Sequence, residues 1–253
     1  MSDVVERLAA REFGKRRRIY LMRHGSVSYF DESGRPVGTD MAPLNELGRV
    51  QAIAAGDALK DVRFDKVIVS GLPRAIETAE RVLMHNRHGA PPYETWPDLR
   101  EIRGRKPGEI RDEDVETGFL DVFSKPSNFD ARFLGGESVR ELTGRVWPAL
   151  ARLLDDRAWH EALLVLHGGA NRAILSYCLA GGRDGQCGQF LGALHQSPGC
   201  INLIDVGDPS QADFVVRATN FVPADPLQTG TRKTTLEEHL EHFLKFKRSE
   251  NRV

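Results

Sequence analysis

Cysteine is scarce in this chain. Cys178, Cys187 and Cys200 are its three, an odd number without the spacing of a metal knuckle, which argues against a secreted disulfide framework and for reduced thiols. Charge of one sign is lacking too: Lys and Arg total 35 against 36 Asp and Glu, a formal net charge of -1. Nucleic acid or an anionic membrane would find no bulk attraction here. No apolar run is long enough to span a bilayer, and the opening MSDVVERLAAREFGKRRR mixes acids with bases and has no signal-peptide core. The cytoplasm is the expected location. The basic run KRRR at 15–18 abuts an apolar stretch and reads as a solvated lead-in rather than a targeting or nucleic-acid patch. Internal repeats and clear linkers are also absent. One domain over 1–253 is expected, with a core at about 17–220, an insertion at about 89–134 and an extra C-terminal helix at about 233–250.

What is present is a periodic pattern on a chain whose 40% hydrophobic content can fill a core. RRIYLMRH reads as a first strand. PLNELGRVQAIAAGDALKD, from Pro43, reads as a helix with Leu44, Leu47, Ala52, Ala55 and Leu59 on its apolar stripe. FDKVIVSG is a second strand stopping at Ser70 and Gly71, and PRAIETAERVLMH a second helix with Pro73 in its first turn. The stretch 89–128 is rich in Pro, Gly and charge and holds at most one short strand, near Leu99. GGESVRELTGRVWPALARLLDD is a helix with Ser138 and Glu141 at capping-box spacing, which Pro148 should kink or split. EALLVLHGG is a third strand leading at once into the helical ANRAILSYCLAG. CINLIDVG and DFVVRATN form a closing pair around Gly207 and Asp208. TTLEEHLEHFLKFKRSE is an amphipathic helix with Leu236, Leu240, Phe243 and Leu244 on one face. Alternating strands and helices argue for an α/β domain with a mainly parallel sheet.

Three of these strands end in residues unsuited to a core: Arg23 and His24, Ser70 with Arg74 just beyond, and His167 with Gly168 and Gly169. The carboxyl ends of parallel strands line the crevice where open α/β sheets bind ligands. A histidine after a strand is more often structural, and an arginine one turn into a helix usually lies on the surface. A surface origin would have to explain the same placement three times. Two arginines, two histidines, helix N-termini after Ser70 and Gly169, and glycines that admit backbone N–H groups together make an anion site.

In their order, LMRHG, PLNELGRVQA, VSGLPRAIETA, LREIRG, GGES and VLHGGANRAIL resemble the signatures of the histidine phosphatase superfamily. That superfamily includes cofactor-dependent phosphoglycerate mutases and the phosphatase domain of bifunctional fructose-2,6-bisphosphate enzymes. The resemblance runs from about Ile19 to Asp205. It implies a three-layer α/β/α, phosphoglycerate mutase-like fold and a two-step phosphoryl transfer through phosphohistidine, on a small phosphorylated substrate and with inorganic phosphate as product. His24 would be the nucleophile, its other ring nitrogen held by an acceptor that fixes the tautomer. Arg23, Arg74 and His167 would bind the phosphoryl oxygens, with Gly168 offering backbone and Ser26 a hydroxyl. Glu101 would protonate the leaving oxygen and then take a proton from water; Glu94 and Glu109 are its rivals in sequence. No metal or other cofactor is required.

The pattern breaks after Arg-His-Gly, where relatives commonly carry Glu-Thr or Gln-Thr and then Trp-Asn. Here the chain reads SVSYF. Either Ser26 or Ser28 replaces the missing donor, or that wall is less polar. Tyr29 and Phe30 either form an aromatic wall suited to an apolar or planar leaving group or pack beneath the loop. REIRGRKPGEIRDED lacks the mutase segment that holds a three-carbon acid, which favours a hydrolase over a mutase. Its Arg100, Arg103, Arg105, Lys106 and Arg111 either attract a second anionic group or pair with Glu109, Asp112, Glu113 and Asp114 in a solvated loop. The C-terminal helix packs either on its own domain or on a second subunit, making a homodimer; its glutamates argue against a membrane surface. A non-catalytic binding protein would not need to keep both arginines and both histidines. A metal site built from His24, His167 and His195 would place a dication beside Arg23.

Overall fold

The first strand, β1 (Arg17–Arg23), has only Arg18 less than fully buried, as a strand covered on both faces requires. In chain order there follow α1 (Glu46–Leu59), β2 (Lys66–Val69), α2 (Pro73–Leu83), β3 (Glu94–Thr95), α3 (Val139–Asp155), β4 (Glu161–Leu166), α4 (Gly168–Leu179), β5 (Ile201–Val206), β6 (Phe214–Phe221) and α5 (Thr235–Glu250). The computed structural model describes residues 16–29, 31, 40–106, 109–111, 113–115, 118, 122–123, 128–182, 188–208, 213–230 and 232–250, with 246–250 as backbone alone. The sequence readings at 1–15, Phe30, Asp112, Cys187 and parts of the stretch 107–127 lie outside the described residues.

The sheet runs β3-β2-β4-β1-β5-β6. β3, β2, β4 and β1 are parallel, and β5 and β6 add an antiparallel edge. Successive side chains of a strand point to opposite faces, and the two faces hold separate cores. Ile19, Leu21, Ile68, Leu164 and Leu166 pack with the apolar stripes of α3 and α4. Tyr20, Met22, Val67, Val69, Leu163 and Val165 pack with α1 and α2. The layers are therefore helix, sheet and helix. Register decides where the chemistry falls: Arg23 lies level with Leu166, and Val69 with Val165. His24, Ser70 and His167 consequently leave the sheet together, at its carboxyl edge.

Four local expectations are corrected. Helix α1 starts at Glu46 rather than Pro43, because Asn45 caps it by accepting from the Gly48 N–H at 2.9 Å. Leu47, expected on the apolar stripe, is exposed, because α1 presses its Gly48 backbone against the loop after β1. A Cβ on Gly48 would stand 2.1 Å from the Ser26 carbonyl oxygen. The short strand expected near Leu99 is Glu94–Thr95, and Leu99 is buried in a following 3-10 turn. Pro148 does not split α3. Val139, Leu142 and Val146 before it and Leu150, Leu153 and Leu154 after it are buried in one core, which keeps the helix continuous through the proline. The capping box of Ser138 and Glu141 forms as read.

Candidate active site

His24 is 1% exposed. Its backbone N–H donates to the Leu166 carbonyl at 3.0 Å, so the sheet register carries directly into the loop. The ring Nδ1 lies 2.7 Å from the Gly25 carbonyl oxygen. Only an N–H can satisfy that acceptor, which leaves the lone pair on Nε2. Nε2 faces the Arg74 Nε–H at 3.3 Å. Burial first, then Arg74 and Arg23, holds the imidazole well below the ordinary histidine range, so the ring is a neutral base at physiological pH.

The loop carrying His24 is tied to its neighbours by several bonds. Gly25 N–H donates to Thr78 Oγ1 at 3.1 Å, and Thr78 donates to the Arg74 carbonyl at 2.7 Å, joining the loop to the turn of α2 that bears Arg74. Ser26 N–H donates to Gln51, while Ser26 Oγ accepts from Asn45 Nδ2 at 3.2 Å. The Ser26 hydroxyl is thus engaged with the cap of α1.

His167 is fully buried, its ring centroid 5.0 Å from that of His24. Its Nε2 lies 2.7 Å from Ser70 Oγ, and burial and then Arg74 lower its pKa as well. Arg23 donates through Nη1 to the Gln196 carbonyl and, at 3.0 Å, to Thr235 Oγ1. Two buried polar atoms at this point, Arg23 Nε and His167 Nδ1, have no hydrogen-bond partner among the described residues. An orphaned buried donor such as Arg23 Nε carries a desolvation penalty, which an anion seated beside it would offset.

A cavity of about 420 Å³ opens over this floor, and Arg23, Arg74, Glu101 and Gly168 all line it. Glu101 accepts the Gly169 N–H through Oε1 at 2.9 Å and Oε2 at 3.1 Å, at the start of α4. Of its sequence rivals, Glu94 instead accepts from Lys66 and Trp96, out on β3, and Glu109 does not line the cavity. Gly169 rather than Gly168 is the position without room: a Cβ there would meet Glu101 Oε1 at 2.5 Å.

Sequence reasoning missed the clamp that holds Glu101. Arg145, on α3, donates to the carbonyls of Asp98 at 2.7 Å, Arg100 at 2.8 Å and Glu101 at 3.0 Å. It also pairs with both oxygens of buried Glu137, at 2.7 and 2.8 Å. Arg172 was missed as well, although an arginine within the otherwise apolar ANRAILSYCLAG was the available signal. It lines the cavity 4.6 Å over the Phe123 ring, its pKa lowered to about 10 by burial and then Arg23.

The basic cluster divides between the two readings given for it. Arg105 and Arg111 pair with Asp114, and Arg111 also with Glu113, while Arg100, Arg103, Arg105 and Lys106 border the cavity. Tyr29 lines it too. Cys178 and Cys200 are buried, and burial raises Cys200 to about 11, where a thiol is inert. Among the described residues no group of three or more His, Cys, Asp or Glu side chains is arranged to hold a metal ion, and no helix is long and apolar enough to cross a membrane.

Comparison with known proteins gives concordant matches. The model of the histidine phosphatase superfamily (branch 1) matches residues 19–213. The chain is 32% identical over 167 residues to 6-phosphofructo-2-kinase/fructose-2,6-bisphosphatase of Gallus gallus, covering 64% of this chain and 33% of that protein. It is 31% identical over 164 residues to a metal-independent phosphoserine phosphatase of Arabidopsis thaliana, covering 62% and 66%. Phosphoglycerate mutases are among the further matches. Three of the curated relatives are matched over only 33%, 27% and 44% of their own length. Among solved structures, the α-ribazole phosphatase of Shigella flexneri superposes with a TM-score of 0.63 at 26% identity, over 80% of this chain and 96% of that one.

Proposed function

This chain belongs to the histidine phosphatase superfamily, branch 1, and from that premise we propose that it is a metal-independent phosphomonoester hydrolase working through a phosphohistidine on a small phosphorylated metabolite. The observation that carries this reading is the fixed tautomer of His24: Nδ1 is committed to the Gly25 carbonyl while Nε2 keeps its lone pair beside Arg74.

His24 Nε2 attacks phosphorus, and the bond from phosphorus to the ester oxygen breaks. That oxygen leaves with the proton carried by Glu101. Arg23, Arg74 and His167 surround the transferring group, whose charge needs fixed donors more than covalent help. Water then attacks the phosphohistidine and gives its proton to Glu101. The P–N bond breaks, the pair returns to Nε2, and inorganic phosphate departs. Resting Glu101 already sits at the rim of this floor, at the start of α4.

Phosphate release from a panel of phosphomonoesters, with chelator present, tests the proposal. Wild type is expected to turn over and to trap an acid-labile phosphoenzyme, whereas His24→Ala loses on the order of 10³-fold or more in kcat. Retained turnover in His24→Ala, or its abolition by chelator in wild type, would overturn the mechanism. Phosphoglycerate interconversion faster than phosphate release would make the chain a mutase.

A further inference from the structure

The C-terminal helix α5 lies beyond the segment 19–213 that the family model matches, yet it does not stand apart from the site. Thr235, at its first turn, accepts from Arg23 Nη1 at 3.0 Å. Leu236, His239 and Phe243 line the same cavity as Arg23, Arg74 and Glu101. His239 meets the Tyr29 ring edge-on, with centroids 4.8 Å apart and planes at 85°. Of the two seats foreseen for this helix, it occupies its own domain, as a wall of the pocket. The face used is not quite the apolar stripe of the sequence: Leu244 is exposed, and His239 takes a place on the inner side.

We propose that α5 and Tyr29 form the leaving-group subsite of this enzyme, and that the geometry of His239 against Tyr29 selects phosphomonoesters whose alcohol carries a flat, largely apolar ring. This rests on the phosphohydrolase reading above. The cavity lining is of two kinds. Arg23, Arg74, Gly168 and Gly169 supply donors and backbone fit for a phosphoryl group. The same lining holds Ile102, Phe123, Phe133, Leu134, Leu236 and Phe243, and with them Arg100, Arg103, Arg105 and Lys106. Hydroxyls set against those six apolar side chains would carry a desolvation cost. An aromatic ring would instead find an edge-to-face partner in Tyr29 or His239. Both groups are neutral in the resting protein: burial and then Arg23 hold His239 at about 4, and burial raises Tyr29. They therefore offer ring faces and single hydrogen bonds rather than a second cationic site. Because α5 is fastened to Arg23 through Thr235, the ring subsite is set at a fixed distance from the phosphoryl floor.

The test compares competitive binding of benzylphosphonate and methylphosphonate to the full chain by calorimetry, which needs no turnover. Wild type is expected to prefer benzylphosphonate by about tenfold or more, and His239→Ala and Tyr29→Leu each to cut that preference about five- to tenfold, the size of one aromatic contact. Circular dichroism checks that both variants fold. Equal affinity of wild type for the two phosphonates, or an unchanged preference in both folded variants, overturns the proposal. If wild type shows the preference and loses it in the variants yet hydrolyses no phosphomonoester, the subsite stands and the hydrolase reading fails.

Discussion

Arg145→Met removes a cation that touches no part of the proposed chemistry, and its effect follows from what the guanidinium holds. Two of its hydrogen bonds go to Glu137, whose side chain is 4% exposed, and three go to the carbonyls at 98, 100 and 101. Breaking a buried pair from one side costs about 3–5 kcal/mol. Glu137 keeps the Arg103 N–H at 3.0 Å, which puts the loss at the lower end, about 3 kcal/mol, or roughly 6–12 °C in Tm for a chain of this size. The released segment carries Glu101, and a displacement of about 1 Å at a reacting group can cost about 10²-fold in rate. We therefore expect kcat to fall about 10- to 100-fold with little change in KM. Arg145 acts through Glu101, so the decisive measurement is a double-mutant cycle. In a Glu101→Gln background, adding Arg145→Met should cost almost nothing further in kcat. The loss should also be smaller for an aryl ester with a good leaving group, which needs less protonation, than for an alkyl phosphate. An equal loss in both backgrounds and on both esters would show that Arg145 supports the fold alone and would refute the positioning argument.

Gly169→Ala should lower kcat by about tenfold or more, because its Cβ would meet Glu101 Oε1 at 2.5 Å; steady-state kinetics with an unchanged melting curve separates this from unfolding. Gly48→Ala should destabilise by about 1–3 kcal/mol in urea titration, since the added methyl meets the backbone of Ser26 rather than a side chain that can turn away. Stability should also depend on pH through the buried and half-buried histidines. His24, His167, His195 and His239 all have folded-state pKa values below the ordinary 6.5, with His195 and His239 at about 4. Between those values the unfolded chain binds more protons. Their contribution is thus complete above about pH 6.5 and is lost as the pH falls towards 4. A melting temperature that stayed flat from pH 7 to pH 4.5 in wild type, or an acid limb unaltered in His239→Gln, would contradict this.

Legibility in the sequence followed locality. The strand ends at His24, Ser70 and His167 could be read because an apolar run that stops at a polar residue is a pattern of adjacent positions, and the parallel topology then brings those ends to one edge. The capping box at Ser138 and the proline at the start of α2 were legible for the same reason. Leu47 was misread because apolar spacing cannot reveal that a neighbouring glycine lies in backbone contact with another loop.

By itself, then, the sequence determined the alternation of strands and helices, the family resemblance, and the polar strand ends at Arg23, His24, Ser70 and His167 that the parallel sheet brings to one edge. Only the tertiary structure decided what holds and walls that pocket. Arg145 reaches a carbonyl 44 residues away at Glu101, and Thr235 meets Arg23 across 212. Nothing in the local pattern of either segment encodes such a meeting. It arises when helices bury their apolar faces against the sheet and carry along whatever polar residues stand beside those faces.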